Sequence, residues 1–324
     1  MPLARSVKDK SSTIKVLSWN INGSGRAGMA DVRKNILKSA ISRINPDVML
    51  LQETIKSVDG FFEDAGIPKK DYNYEEAADK TETRVIYKNN AFEKVDPSPV
   101  NLNTVLAEMV PEDETKFLRR GKVPERQMIK NGICVVHLRN ISTKREIIFV
   151  SYRNIRNHGG NIATKVCEII ARLHKSSECC VIAGVDFNCD SFDSTSVEVP
   201  SYTTTSRREN KEKTDFYILG KSTENWKVKE VKAFDLSSLD KTLESDGFKR
   251  DQLNKALDHD PLLLSLSEVK TEEGKGKETR VIMKRTMKRL YVHTQNTYLV
   301  HGATWQPLPY DVSVSIPVQT RDPC

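Results

Sequence analysis

Apolar residues in this chain fall into short unbroken runs, separated by stretches in which they recur every three or four positions. Residues 14–17 form a first β-like run that leads into the Asn22-Gly23 turn signal. Val32, Ile36, Ala40 and Ile44 then stand four apart, with Leu37 and Ile41 beside them, which predicts a helix over about 29–44. Asn45-Pro46-Asp47 stops it, and 48–51 is a continuous apolar strand ending at Gln52-Glu53. Strand, helix, strand with both strands apolar predicts an α/β fold, its sheet covered by helices.

Further strands are expected at 83–87, 133–138 and 147–152, the last two joined by the polar stretch 139–144 as an antiparallel hairpin. Ile162, Val166, Ile169, Ile170 and Leu173 mark a second helix, followed by a buried strand at 179–183 aimed at Asp186. Strands at 216–219 and 262–266 close the set. The segment 97–124 mixes Pro, Glu and Lys without period and is expected to be a long surface excursion. Residues 203–213 are a charged loop and 268–278 a Glu/Lys/Gly-rich linker. Beyond it come a basic cluster (Lys284, Arg285, Lys288, Arg289) and an aromatic, Pro-containing end. The division is a polar segment at 1–13, a domain at 14–267 and an extension at 268–324.

At 324 residues the chain is long enough to bury a sizeable core. Its 51 Lys and Arg against 44 Asp and Glu leave a formal charge of +7, which permits attraction to a polyanion without demanding it. The N-terminus lacks the apolar stretch of a signal peptide, and no run approaches the roughly 18 apolar residues of a membrane span. Six cysteines (Cys134, Cys167, Cys179, Cys180, Cys189 and Cys324) show neither CxxC pairs nor disulfide-type spacing. A reducing compartment is expected, cytoplasmic or nuclear.

Polar, potentially catalytic residues gather at the ends of the apolar runs, where sites collect. Glu53 closes a strand and is either a ligand for a hard divalent cation or a solvent-facing carboxylate. Asn20 and Asn22 are two apart, so both amides can face one side of an extended chain, although Asn22-Gly23 also reads as turn chemistry. Asp186 and Asn188 straddle Phe187 in the same way. His259 stands between Asp258 and Asp260 just before Pro261 and a strand, costly residues to bury without purpose. A histidine with a carboxylate partner can stabilise phosphorane-like charge or act as a general base. Asp215, at the entry of the strand 216–219, is a candidate for that partner or a strand-capping Asp.

Taken in order, Ser18-Trp19-Asn20-Ile21-Asn22-Gly23, Leu51-Gln52-Glu53-Thr54, Val185-Asp186-Phe187-Asn188, Thr214-Asp215-Phe216-Tyr217 and Leu257-Asp258-His259-Asp260-Pro261 resemble the signature of the endonuclease/exonuclease/phosphatase (DNase I-like) superfamily. The resemblance spans about 14–267 and is closest in flavour to apurinic and LINE-type retrotransposon endonucleases, although the stretch between Asn188 and Asp215 is short for the latter. It implies a four-layer α-β-β-α sandwich, two mixed sheets face to face with helices outside.

The resemblance also implies roles. His259 becomes the catalytic histidine and Asp215 its partner. Asp186 positions or deprotonates water, and Asn188 faces the phosphate. Glu53, Asn20 and Asp258 surround Mg²⁺, with Mn²⁺ as a substitute, and Asn22 has a weaker place near the phosphate. Two positions depart from the pattern: Val185 where a Gly is expected, with Gly184 one residue earlier, and Leu257 where a Ser is expected. Tyr152 with Asn154 partly matches a Tyr-x-x-Asn strand end, Tyr152 being either a phosphate donor or a core aromatic and Asn154 a weaker phosphate contact. Arg126, a further weak phosphate contact by this resemblance, is matched by its Pro-Glu-Arg-Gln setting. The implied activity is Mg²⁺-dependent phosphodiester hydrolysis with DNA or RNA as substrate, and Arg207-Arg208 or the 284–289 cluster as backbone contacts. The alternatives are a phosphatase or phosphodiesterase acting on a small phosphorylated molecule, phosphoinositide or phospholipid, and a catalytically weak binding module.

Overall fold

The computed structural model describes residues 13–22, 29–54, 56–79, 82–98, 100–110, 115–118, 121–154, 159–189, 191–201, 214–220, 226–236, 238–239, 243–244, 247, 256–257 and 259–269. Of the sequence expectations, Asp258, the 203–213 loop with Arg207 and Arg208, and everything beyond Val269 lie outside these residues.

The elements follow in the order β1 (Thr13–Asn20), α1 (Ala30–Ile44), β2 (Val48–Gln52), α2 (Val58–Ala65), β3 (Tyr72–Glu76), β4 (Thr83–Lys88), β5 (Phe92–Lys94), α3 (Leu102–Met109), β6 (Thr115–Leu118), β7 (Gly121–Pro124), α4 (Glu125–Gly132), β8 (Ile133–Asn140), β9 (Glu146–Arg153), α5 (Gly159–Ser177), β10 (Cys180–Asp186), β11 (Val197–Glu198), β12 (Asp215–Gly220), β13 (Trp226–Ala233) and β14 (Leu262–Glu268). One sheet has the order β13-β14-β1-β2-β4-β3 and the other β11-β12-β10-β9-β8-β5, each of six strands among the described residues. Both are mixed: β1 with β2 and β9 with β10 are parallel, while β1 with β14 and β10 with β12 are antiparallel.

The strands obey a period of two that sorts side chains between two cores. On β1, Leu17 and Trp19 face the layer of α1 and α2, where they meet Ile36, Leu37, Phe61 and Phe62. Ile14 and Val16 face the other way, into a core shared with Phe149, Ile182 and Tyr217 of the second sheet. A third core packs Val150, Val181, Val185 and Ile218 against Ile162, Val166, Ile169, Ile170 and Leu173 of α5. Three apolar layers separating four layers of secondary structure make the α-β-β-α sandwich. Each fully buried aliphatic side chain contributes about 1.5–3 kcal/mol to holding it.

Both predicted helices form on the expected faces. The first ends where Asn45 adopts left-handed backbone, φ 49°, and its N–H reaches the carbonyl of Ile41 before Pro46 prevents continuation. The 97–124 segment departs from its expectation. It contains α3, whose cap Asn101 accepts from the N–H groups of Asn103 and Thr104, and the β6–β7 pair. Val105, Leu106 and Val110 are buried against the second sheet's helical core, an anchor too short to show as a period among the charges around it. Strands β3 and β5 lie at sheet edges with exposed positions, so no apolar run announced them.

Polar bridges tie the two sheets together near one end of the sandwich. Gln52 Nε2 donates to Ser151 Oγ at 3.1 Å and to the Gly184 carbonyl at 3.1 Å. Ser151 Oγ donates to the Leu51 carbonyl at 2.9 Å, and Tyr217 Oη donates to the Val16 carbonyl at 2.6 Å. Gly184 permits this approach, because a Cβ there would lie 2.4 Å from Ser18 Oγ. Among the described residues, no helix is long and apolar enough to cross a membrane.

Candidate active site

Six chain segments end or begin at that edge of the sandwich. Asn20 closes β1 in register with Gln52 at the end of β2, and Asp186 closes β10 in register with both Asp215 and Arg153. Because Asn20 follows Ser18 by two and Asp186 follows Gly184 by two, both side chains point into the space between the sheets. Asn20 and Asp186 are fully buried there, and His259 is only 5% exposed.

The side chains form one connected network. His259 Nδ1 lies 2.9 Å from Asp215 Oδ2, and its Nε2 lies 3.2 Å from Asn20 Nδ2. Asn20 Nδ2 also donates to Asp186 Oδ2 at 2.8 Å and to Glu53 Oε1 at 3.1 Å. With Nδ1–H directed at Asp215, Nε2 carries the lone pair, so the amide has three acceptors around it. Asn188 wraps Asp186 from the other side: its N–H donates to Oδ1 at 3.0 Å and its Nδ2 to Oδ2 at 3.1 Å. Burial holds the Asp186 carboxyl above the usual carboxylate range, and the charge of Asp215 adds to this against His259 and the Asn20 and Asn188 hydrogen bonds.

Three residues of the cluster have left-handed backbone: Asn22 at φ 44°, Glu53 at φ 54° and Asn188 at φ 49°. Asn tolerates this region; Glu does so at a cost of about 1–3 kcal/mol. Sequence turns at Glu53 and Asn188 thus leave the strand direction just where their side chains are needed.

Not every expected residue joins the centre. Asn20 presents its NH₂ to the carboxylates while its Oδ1 accepts from the Asn22 N–H at 2.9 Å, so it steadies Glu53 and Asp186 and is not placed as an oxygen ligand. Asn22 contributes backbone, its carbonyl accepting from Arg33 at 2.9 Å. Asn154 is buried and bonds the Phe187 carbonyl at 3.0 Å, tethering the Asp186–Asn188 turn instead of facing a phosphate. Tyr152 has the opposite parity to Ser151 and Arg153, and packs edge-on to Phe187 in the helix-side core, so of its two readings the core aromatic holds. Arg126 turns its guanidinium to the carbonyls of Val110 and Ala107, closing the end of α3. Val185 points into the helix-side core, away from the carboxylates, while Gly184 fills the close-approach role one residue earlier.

Two residues that sequence reading passed over are part of the centre. Arg153, not Tyr152, is the strand-end group on the site's face, with one NH₂ 2.8 Å from Glu53 Oε1 and the other 2.6 Å from Glu82 Oε2. Counting by twos from Ser151 would have found it. Trp19 anchors the histidine loop by donating its indole N–H to the His259 carbonyl at 3.0 Å. Only the fold brings those two together, 240 residues apart in sequence.

The sequence of residues 17–216 matches the Endonuclease/Exonuclease/phosphatase family. The chain belongs to this family. Solved structures of similar fold include humanized D. rerio TDP2 (TM-score 0.53, 14% identity, covering 79% of this chain and 100% of that one). The catalytic domain of human Nocturnin, with a bound sulfate, gives a TM-score of 0.51 at 14% identity over 79% of this chain and 95% of that one. The Bacteroides thetaiotaomicron mannosyl-6-phosphatase Bt3783 gives 0.53 at 13% identity over 78% and 99%. At these identities the likeness is one of fold, the four-layer sandwich with two mixed sheets. A comparison with curated proteins finds no match.

Members of this family are generally divalent-metal-dependent, and the donor chemistry here suits a hard cation. Among the described residues, the partners of Glu53 take Oε1, so Oε2 of this carboxylate, which is 16% exposed, could meet an ion. Asp186, Asp215 and His259 also bring ligand atoms within 4.8 Å of one another.

Proposed function

We propose that this chain is a Mg²⁺-dependent phosphodiesterase that hydrolyses nucleic acid, with Mn²⁺ able to replace Mg²⁺. The observation that carries the reading is the line Asp215–His259–Asn20–Asp186, a histidine held by one carboxylate and facing a second, buried one. Glu53 and Asp258 are the residues we assign to the ion, which when bound neutralises charge on the phosphoryl oxygens.

The chain's own residues supply the rest. Asp186, held above the usual carboxylate range by burial, accepts the proton of the attacking water. Asn188 and Asn20 fix its two oxygens so that the acceptor does not rotate away. As the water oxygen bonds to phosphorus, the ester P–O bond breaks, and the leaving oxygen keeps the bonding pair and takes a proton from solvent. His259, once protonated at Nε2 and with its charge stabilised by Asp215, donates a hydrogen bond to the phosphoryl oxygen. Arg153, beside Glu53, adds a cation facing the same space. The +7 charge and the TDP2 fold neighbour, solved with a single-strand DNA product, support a polynucleotide substrate. Cys134, Cys167, Cys179 and Cys180 are free thiols, which supports a reducing, cytoplasmic or nuclear setting. The catalytic unit is assigned to 14–267, with 268–324 a linker and a basic, aromatic extension.

The test is a substrate panel of single-stranded DNA, abasic duplex DNA, RNA, sugar phosphate, inositol phosphates and phospholipid, each with Mg²⁺ and with EDTA. EDTA-sensitive cleavage of a polynucleotide, abolished in His259→Ala, is the expected result. Turnover of a small phosphate monoester alone would make the chain a small-molecule phosphatase like the mannosyl-6-phosphatase that shares its fold. Inertness toward the whole panel would make it a binding module.

A further inference from the structure

A second cluster of ligand-type side chains lies on the helix-covered face of the second sheet, at the end away from the catalytic carboxylates. His137 belongs to β8, Glu146 opens β9, and Cys179 immediately precedes β10. Seven residue steps of extended chain, about 23 Å, separate Cys179 from Asp186. His137 Nε2 is 3.1 Å from Glu146 Oε2 and 3.6 Å from Cys179 Sγ, and Sγ is 4.0 Å from Oε2.

We propose that His137, Glu146 and Cys179 form a second metal site, for a zinc-type divalent transition ion. The three donor separations carry the assignment. Zn–N and Zn–O bonds of about 2.1 Å and a Zn–S bond of about 2.3 Å, set at tetrahedral angles, require donor atoms about 3.4 Å (N to O), 3.6 Å (N to S) and 3.6 Å (S to O) apart. The observed 3.1, 3.6 and 4.0 Å are within about 0.4 Å of that triangle before any ion draws it in.

The surroundings match a ligand set and not a nucleophile relay. In a relay, the orienting carboxylate takes the ring nitrogen opposite the one that faces the thiol. Here Glu146 and Cys179 both crowd Nε2, while Nδ1 lies 3.3 Å from Ser98 Oγ. With its proton on Nδ1 and directed to Ser98, the imidazole presents the Nε2 lone pair to the other two donors, the support that metal-bound histidines use. Arg139 holds Glu146 by Oε1, at 2.7 Å from its NH₂ and 3.1 Å from its Nε, which leaves Oε2 facing inward. The imidazole side chain is 2% exposed, so the ring is held in place by the fold. One imidazole, one carboxylate and one thiolate balance the charge of a divalent ion, and the Cys179 thiol proton leaves to solvent as the ion enters. The mixed N, O and S set favours zinc over the hard ion assigned to the catalytic centre.

The test is titration of the full chain with Co²⁺, read by the thiolate-to-cobalt charge-transfer band, followed by competition with Zn²⁺. One equivalent of cobalt should develop the band. Cys179→Ser should abolish it with an unchanged circular dichroism spectrum, and Ser98→Ala should weaken binding about 10- to 100-fold. His259→Ala should leave the band intact, which keeps this site separate from the proposed phosphodiesterase. Absence of the band from the folded wild type, or its survival in Cys179→Ser, would overturn the proposal.

Discussion

His259 is held through its Nδ1 by Asp215, 2.9 Å away, while its Nε2 faces Asn20 and, beyond it, the buried carboxylate of Asp186. The aspartate therefore selects the tautomer and orientation of the ring. Asp215→Asn should lower kcat about 10²- to 10⁴-fold with little change in KM, the range expected when a general acid–base group loses its orienting partner. His259→Ala combined with Asp215→Asn should be no slower than His259→Ala alone, because the pair acts as a unit. Steady-state kinetics on the best substrate of the panel measures both effects; additive losses would separate the two residues.

Glu53 is the carboxylate proposed to hold the cation. Dialysis against EDTA should remove activity, and Mg²⁺ or Mn²⁺ should restore it. In Glu53→Gln the Mg²⁺ concentration for half-maximal activity should rise at least about tenfold, because a neutral amide replaces a charged oxygen ligand of a hard cation. A metal titration of rate in the two proteins decides it.

Arg153 shares Glu53 Oε1 with Asn20 and bridges to Glu82. Removing its charge in Arg153→Met should act in two directions at once. The Mg²⁺ requirement should fall, because Glu53 loses a competing cation, while KM for a phosphodiester should rise about 10- to 100-fold as a charged hydrogen bond is lost. A purely structural role would change stability and leave both kinetic values together.

Gly184 allows the sheets to meet. In Gly184→Ala the new Cβ would stand 2.4 Å from Ser18 Oγ and 2.9 Å from Leu50 Cδ1, so the variant should lose about 1–3 kcal/mol of stability. Urea denaturation should show a lower midpoint at unchanged slope, and Ser18→Gly in the same chain should restore part of the loss.

The layered architecture was legible because its strands are apolar runs and its two long helices keep a clear period, as at Ile36–Ile44 on α1 and Ile162–Leu173 on α5. Edge strands β3 and β5 and the short helix α3 were not, since they bury too few side chains to print a pattern.

The sequence by itself determined the residue types of the centre and their order: Asn20, Glu53, Asp186, Asn188, Asp215 and His259 each sit beside an apolar run, and five strand-end positions imply one rim. Tertiary structure decided which of them meet and by which atom. Strand parity, with neighbours pointing to opposite faces, removed Tyr152 and Val185 to the helix-side core and admitted Arg153. Parallel and antiparallel register set Asp186 beside Asp215 and Arg153, and a hydrogen bond from Trp19 to the His259 carbonyl brought the last segment to the first. Those contacts join residues up to 240 positions apart, a separation that local patterns along the chain cannot express.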